Sequence, residues 1–378
     1  MVFVLWIVSA AGVLILAGAV YQWLGSRRDR KLLTAPGRWV TVGNGCVLYL
    51  FELGKGEPTV LFESGIGATH LNWRHIQEEV AEFAGTVSYD RGGLGWSGTC
   101  RSARTPANIA RELRQMLQRA GLKPPFILVG HSFGGLVMRR FALLYPEEVT
   151  GILLVDPMRC EEWPPLDPTK QSELDMGGKL IRYAMPITRC GLARLAVTLL
   201  FCRARKLSHH IAGAALPNGR HVLGRITTEV RKMPRKVWPV VAAHWSRPSF
   251  YAGIRSHLQS IPDTVREMHV ADPIRSIPVT VLTPANAEPL TENHLEHIGD
   301  CAQQVIASKS EHWIHLDEPA LVIESIRSLV TAAGAETVIA GAMARSKDRG
   351  YSEAMLPHRV YVGRLGSEGP DGSQGFAT

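Results

Sequence analysis

The sequence predicts an α/β fold, a largely parallel sheet with helices on both faces, behind an N-terminal helix long enough to cross a membrane. Three observations carry this. Five short runs, "TVLFESG" (59–65), "GTVSYDRGG" (85–93), "PFILVGHS" (125–132), "TGILLVDP" (150–157) and "IPVTVLTP" (277–284), are apolar throughout rather than alternating. Strands buried on both faces of a parallel sheet have that composition. Helical patterns separate the runs, and strand–helix–strand alternation builds doubly covered sheets. Residues 1–24 carry no charge.

The first stretch, "MVFVLWIVSAAGVLILAGAVYQWL", contains a single strongly polar side chain, Gln22. At about 1.5 Å per residue it is long enough for a hydrocarbon core. Tyr21 and Trp23 sit where an interfacial aromatic belt would. A cleaved signal peptide, cut after "AGA" (17–19), is the competing reading. It lacks a positive n-region, and the apolar run is longer than a usual h-region. The basic cluster "GSRRDRK" follows the span, which predicts the rest of the chain on the cytoplasmic side of a single-pass protein.

Residues 25–37 read as a linker. "RWVTVGNGCVLYLFELGKG" then gives two β runs around "GNG", a hairpin signal. The clearest helix is "TPANIARELRQMLQRAG" (105–121), with Thr105 as N-cap, Pro106 at the first helical position and Gly121 closing it. Ile109, Leu113, Met116 and Leu117 form its apolar face. Between Pro157 and Ile277 the rhythm stops, and the segment reads as a helical, irregular insertion of the kind usually kept for function. "AQQVIAS" (302–308) is a further short strand, "PALVIESIRSLVTAAG" (319–334) a closing helix, and the Gly-, Ser- and charge-rich remainder mostly disordered.

Composition adds bounds. The 378 residues are 46% hydrophobic and 20% charged, enough for one large core or two modest domains. Cys46, Cys100, Cys160, Cys190, Cys202 and Cys301 show no C-x-x-C pair or regular spacing, so reduced thiols are expected rather than a disulfide framework or zinc site. The net charge is +8, and the charge is uneven: from 176 to 236 the only acid is Glu229 among many Lys and Arg. Within it "LARLAVTLLFCRARK" mixes apolar residues with basic ends. It suits either an interfacial segment facing anionic headgroups or a cap helix covering a pocket. Nucleic acid is disfavoured, because aromatic interleaving and a binding motif are missing.

The chemistry centres on Gly130-His131-Ser132-Phe133-Gly134. It matches G-x-S-x-G between a strand and a helix, the setting of a nucleophile elbow, with Ser132 as nucleophile. The partners should follow in the order serine, acid, histidine. His312 lies in the loop "SKSEHWIHLDEPALV" after the last strand, with His315 as competitor. Two acids end strands at the sheet edge that open α/β folds use: Asp156 of "GILLVD", favoured because it lies closer to its strand, and Glu288 of "TPANAEPL". For the oxyanion, Phe133 supplies one backbone donor and the loop "SGIGATHLNW" another, best from Ile66.

With "ESGIGATHLNW", "SYDRGGLGWS", "GHSFGG", "LLVDP" and "EHWIHLDEP" in order, the chain resembles the α/β-hydrolase superfamily over residues 38–334, in particular its bacterial serine hydrolases. The resemblance implies an eight-stranded, mostly parallel sheet with a helical cap inserted at 157–277. It implies a structural role for Asp90 and Arg91, and it favours the "VDP" aspartate as acid. Glu63-Ser64-Gly65 stands where the family commonly has "HG". The whole then reads as an anchor (1–24), a linker (25–37), a hydrolase domain (38–334) and a tail (335–378). The expected activity is a serine esterase acting on a small-molecule or lipid-like ester, with no metal or organic cofactor. The alternative is a catalytically silent scaffold at the membrane.

Overall fold

The computed structural model describes residues 1–159, 168–201 and 230–348. The expectations for the basic residues 203–206, for Cys160 and Cys202, and for the tail from 349 onward lie outside the described residues. Two compact units are distinguished, Met1–Gly334 and Ala335–Thr378.

Eight strands form one sheet: β1 (Arg38–Thr41), β2 (Val47–Leu53), β3 (Thr59–Glu63), β4 (Thr86–Asp90), β5 (Phe126–His131), β6 (Val149–Val155), β7 (Val279–Pro284) and β8 (Ala302–Ala307). Their order is β1-β2-β4-β3-β5-β6-β7-β8. The β1–β2 hairpin and the β2–β4 pair are antiparallel; all other pairs are parallel. Successive residues of the central strands face opposite sides, as strand geometry requires. Leu61, Leu128 and Ile152 pack under helices α3 (Pro106–Ala120) and α4 (Phe133–Leu144). Phe62, Val129 and Leu153 pack on α2 (Arg74–Val80) and on Val322, Ile326 and Leu329 of the closing helix. Both faces are covered, which is why the strand sequences do not alternate.

Helix α3 has the predicted ends. Thr105 caps it, Pro106 sits in its first turn, and Gly121 leaves it at φ 77°. Between β6 and β7 lie α5 (Pro168–Arg189), α6 (Leu192–Phe201), α7 (Trp238–Trp245), α8 (Pro248–Gln259) and α9 (Ile261–His269). They stand over the C-terminal ends of the strands: Ile261, Val265 and Met268 of α9 pack on Phe133 and Leu136 of α4. After β7 come α10 (Glu292–Ile298) and, after β8, α11 (Pro319–Asp348).

Three expectations change. Helix α1 runs Val2–Leu32, through the basic cluster expected as linker, so only 33–37 connect it to β1. Its later turns are held by tertiary contacts that a local pattern does not reveal: Arg194 of α6 pairs with Asp29 at 2.8 Å. Helix α11 continues to Asp348, so 335–348 are helical where composition predicts disorder; "ETVIAGAMAR" is rich in good helix formers. Finally, Cys46 and Cys100 form a disulfide, 54 residues apart with Cα atoms at 4.8 Å, rather than reduced thiols. Their partnership arises where the start of β2 meets the loop after β4, a juxtaposition made by sheet topology and invisible to spacing.

Candidate active site

Ser132 sits between β5 and α4 at φ 55° and ψ −122°, a region that non-glycine residues rarely enter. The chain holds it there from both sides. Its N–H donates to the Val155 carbonyl at 3.1 Å, and its carbonyl accepts from Met158 N–H at 3.1 Å. The flanking glycines are required by space: a Cβ on Gly134 would lie 2.6 Å from the Glu63 carbonyl, and one on Gly130 2.6 Å from the Gly134 carbonyl. Ser132 is therefore a nucleophile elbow in geometry, standing before the N-terminus of a twelve-residue helix whose free N–H groups favour negative charge.

Asp156 follows β6 directly, at φ 40°, with its N–H bound to the Leu282 carbonyl of β7 at 2.8 Å. Its Oδ2 lies 2.6 Å from Nδ1 of His312. His312 stands on the loop after β8, and Glu318 laces that loop: its carboxylate accepts from Lys309 N–H at 2.7 Å and Ser310 Oγ at 2.9 Å. His315, the competing histidine, is buried and stacks on Trp73 at 4.6 Å, so it is part of the core. Glu288 is exposed, and its main-chain carbonyl accepts from Arg159 at 2.8 Å. The structure thus joins His312 to Asp156 and leaves Glu288 at the surface.

The two expected oxyanion residues lie in one apolar cluster, Phe133 fully buried and Ile66 partly so. Next to Ile66, Gly65 passes close to Ser132; a Cβ there would lie 3.4 Å from that of Ser132. The loop is fixed from beneath by groups that sequence reading set aside as structural. Arg91 donates to the Gly65 carbonyl and lies 3.7 Å from Glu63, which also accepts from Tyr89 Oη and from Ser64 N–H at 2.9 Å. Burial raises the Glu63 carboxyl above its ordinary value, against the lowering pull of Arg91 and Tyr89. Asp90 holds the same loop further on, accepting from His70 N–H at 2.9 Å, and ties it to the loop after β4 by accepting from Trp96 N–H at 2.8 Å.

One contributor escaped the sequence reading. His131, to which the sequence motif assigns no role, bonds through Nε2 to the His312 carbonyl at 2.8 Å. Burial, with His312 nearby, pushes its pKa down to about 3, so it is the neutral imidazole whose Nε2–H donates. The signal was present as a second histidine inside the elbow, but only the folded chain brings residues 131 and 312 together.

A family profile described as the alpha/beta hydrolase fold matches residues 58–189. An epoxide hydrolase structure, CorEH, superposes with a TM-score of 0.58 at 17% identity, over 79% of this chain and 99% of that one. The chain has the α/β-hydrolase fold. A thermophilic esterase from Thermogutta terrifontis, solved with malate bound, superposes with a TM-score of 0.54 at 19% identity, over 79% of this chain and 99% of the esterase. At such identities the likeness is one of fold. Among curated proteins, the Bacillus subtilis protein YqjL is 31% identical over 115 residues, 30% of this chain and 46% of YqjL. The chain spans less than half the length of the first curated relatives it matches, from 32% to 47%.

Proposed function

We propose that the protein is a membrane-anchored serine hydrolase that cleaves ester-type bonds through an acyl-enzyme. The observation that carries this is the 2.6 Å bond from His312 Nδ1 to Asp156 Oδ2, at the sheet edge where Ser132 occupies its strained turn. Ser132 Oγ attacks the acyl carbon while His312 Nε2 takes its proton. Asp156 holds the imidazole by Nδ1–H and stabilises the imidazolium. Negative charge on the carbonyl oxygen is met by the Phe133 and Ile66 N–H groups. Collapse expels the alcohol, which receives the proton from His312; water then attacks the acyl-enzyme by the same route and releases the acid. A serine at the elbow argues against epoxide chemistry, which needs a carboxylate nucleophile there.

Helix α1 is long and apolar enough to span a bilayer, and the charge-free run ahead of Arg27 supports a retained anchor, with the basic flank favouring a cytoplasmic domain. A fluorophosphonate probe tests the chemistry. The wild type is expected to label and Ser132→Ala not to. Absence of label on the folded wild type, or equal label on the variant, leaves a silent scaffold as the better reading. A series of esters of rising acyl length then defines the substrate.

A further inference from the structure

We infer that the tip of the cap, the α5–α6 turn, is seated in the interface of the same bilayer that α1 crosses. The inference rests on α1 being a membrane span, and adds that the hydrolase domain is fixed against the lipid rather than tethered beside it. One face of α1, at positions 18, 22, 25 and 29, docks on the cap. Gly18 and Gly191 meet backbone to backbone. A Cβ on Gly18 would collide with the Cys190 carbonyl, and one on Gly191 would lie 2.5 Å from the Gly18 carbonyl and 3.0 Å from the Tyr21 ring. One turn on, Gln22 donates to the Ser246 carbonyl at 2.9 Å and accepts from Arg194 Nε at 3.1 Å. A Cβ on Gly25 would lie 2.6 Å from the same nitrogen, and Asp29 closes the series on Arg194 Nη2 at 2.8 Å. The one strongly polar residue of the apolar run is thereby explained: Gln22 is 6% exposed and fully used in docking.

Depth follows from helix geometry. Gly18 lies six residues before the end of the apolar run at Leu24, so the Gly191 turn meets α1 about 9 Å inside it. Tyr21 and Trp23, the aromatic pair expected at the interface, stand at this level. The cap surface around the turn has the matching character. Ile187, Leu192 and Leu195 are 48%, 55% and 45% exposed, and Tyr183 67%. Lys179, Arg182 and Arg189 are exposed on the same helix pair. In water this is an apolar patch rimmed by cations; at a bilayer it buries its apolar side chains and sets the cations among anionic headgroups.

The test uses the full chain in nanodiscs of phosphatidylcholine and phosphatidylglycerol, with Cys160, Cys190, Cys202 and Cys301 replaced by serine. Nitroxide labels are placed singly at Ile187→Cys, Leu192→Cys, Leu14→Cys and Lys55→Cys. Collisions with oxygen are compared with those of a water-soluble nickel chelate. Lipid-like exposure at 187, 192 and 14, with aqueous exposure at 55, is the expected result. Aqueous exposure at 187 and 192 with lipid-like exposure at 14 overturns this inference alone. Aqueous exposure at 14 overturns the anchor as well, while hydrolysis of a water-soluble ester reports the chemistry separately. Gly18→Leu, which blocks docking, should return 187 and 192 to water and leave 14 in lipid; unchanged lipid exposure at 187 and 192 also counts against the docked arrangement.

Discussion

His131 Nε2 lies 2.8 Å from the main-chain carbonyl of His312, so the residue before Ser132 braces the loop that carries His312. His131→Phe keeps a ring and removes the donor. We expect kcat to fall about ten- to a hundredfold with KM nearly unchanged, because small misplacement of a catalytic group costs this much. Stability should drop by about 1–2 kcal/mol for the lost buried bond. Steady-state kinetics on a soluble ester, with a urea titration alongside, checks both; an unchanged kcat would show that the loop is held without His131.

The two carboxylates should separate by rate. Asp156 Oδ2 meets His312 Nδ1 at 2.6 Å, so Asp156→Asn is expected to lower kcat by a factor on the order of 10³–10⁴, since an amide favours the wrong imidazole tautomer. Glu288 is exposed, and Glu288→Gln should retain near-normal turnover. Collapse in the second variant with survival of the first would reverse the assignment.

The contrast between those acids shows what the sequence makes legible. Strand identity is local: "GILLVD" and "VTVLTP" are apolar for both faces, and β6 and β7 form where those runs stand. The elbow is local too, because Gly130, Ser132 and Gly134 are fixed by one turn. The acid is not local. Asp156 and Glu288 both follow strands, and only the path of the loop after β8, laced by Glu318, brings His312 to one of them. The Cys46–Cys100 bond and the Gln22–Ser246 bond across 224 residues fail to show for the same reason.

Arg91 and Glu63 should be strongly coupled. Both side chains are 1% exposed, and Arg91 also holds the Gly65 carbonyl. Arg91→Met leaves a buried carboxyl without its cation, and about 3–5 kcal/mol of stability should be lost. Adding Glu63→Leu removes the uncompensated group and should restore part of that loss. Urea midpoints of the two single variants and the double variant measure the coupling. Strict additivity would mean that the pair does not act as a unit.

The Cys46–Cys100 bond closes a long loop, its ends 54 positions apart. In the chain-entropy account such a loop contributes roughly 4 kcal/mol. Dithiothreitol should therefore lower the Tm of the wild type to that of a Cys46→Ser, Cys100→Ser variant and leave the variant unmoved. Disulfides persist in oxidising compartments, whereas the basic flank of α1 favours the cytoplasmic side. Alkylation of thiols in intact cells separates these: the cytoplasmic placement expects the pair reduced in the cell, and a bond already formed there would overturn it.

Acid should destabilise the fold well above the range of its carboxylates. Burial pushes His131 and His244 down from 6.5 to about 3, and burial also holds His257 and His315 well below 6.5. An unfolded chain protonates these rings near 6.5, while the folded chain keeps them neutral. Between about pH 6.5 and 3 the unfolded state therefore binds more protons, and stability falls as pH falls, by up to about 1.4 kcal/mol per pH unit for each ring. The raised carboxyl of Glu63 acts in the opposite sense, its penalty easing as it protonates at lower pH. From pH 7 to 5 the histidines dominate, so the urea midpoint should drop steeply. His244 isolates one of them: neither ring nitrogen has a partner, and the ring meets Trp96 edge-on at 4.8 Å. Its burial outweighs the raising pull of Asp90, while Arg247 and His70 add to the lowering. His244→Phe keeps the aromatic contact and removes the titration, so its stability should decline less between pH 7 and 5, by about one proton's slope. Parallel pH profiles for variant and wild type would show that His244 binds protons alike in the folded and unfolded chain and would sink the assignment.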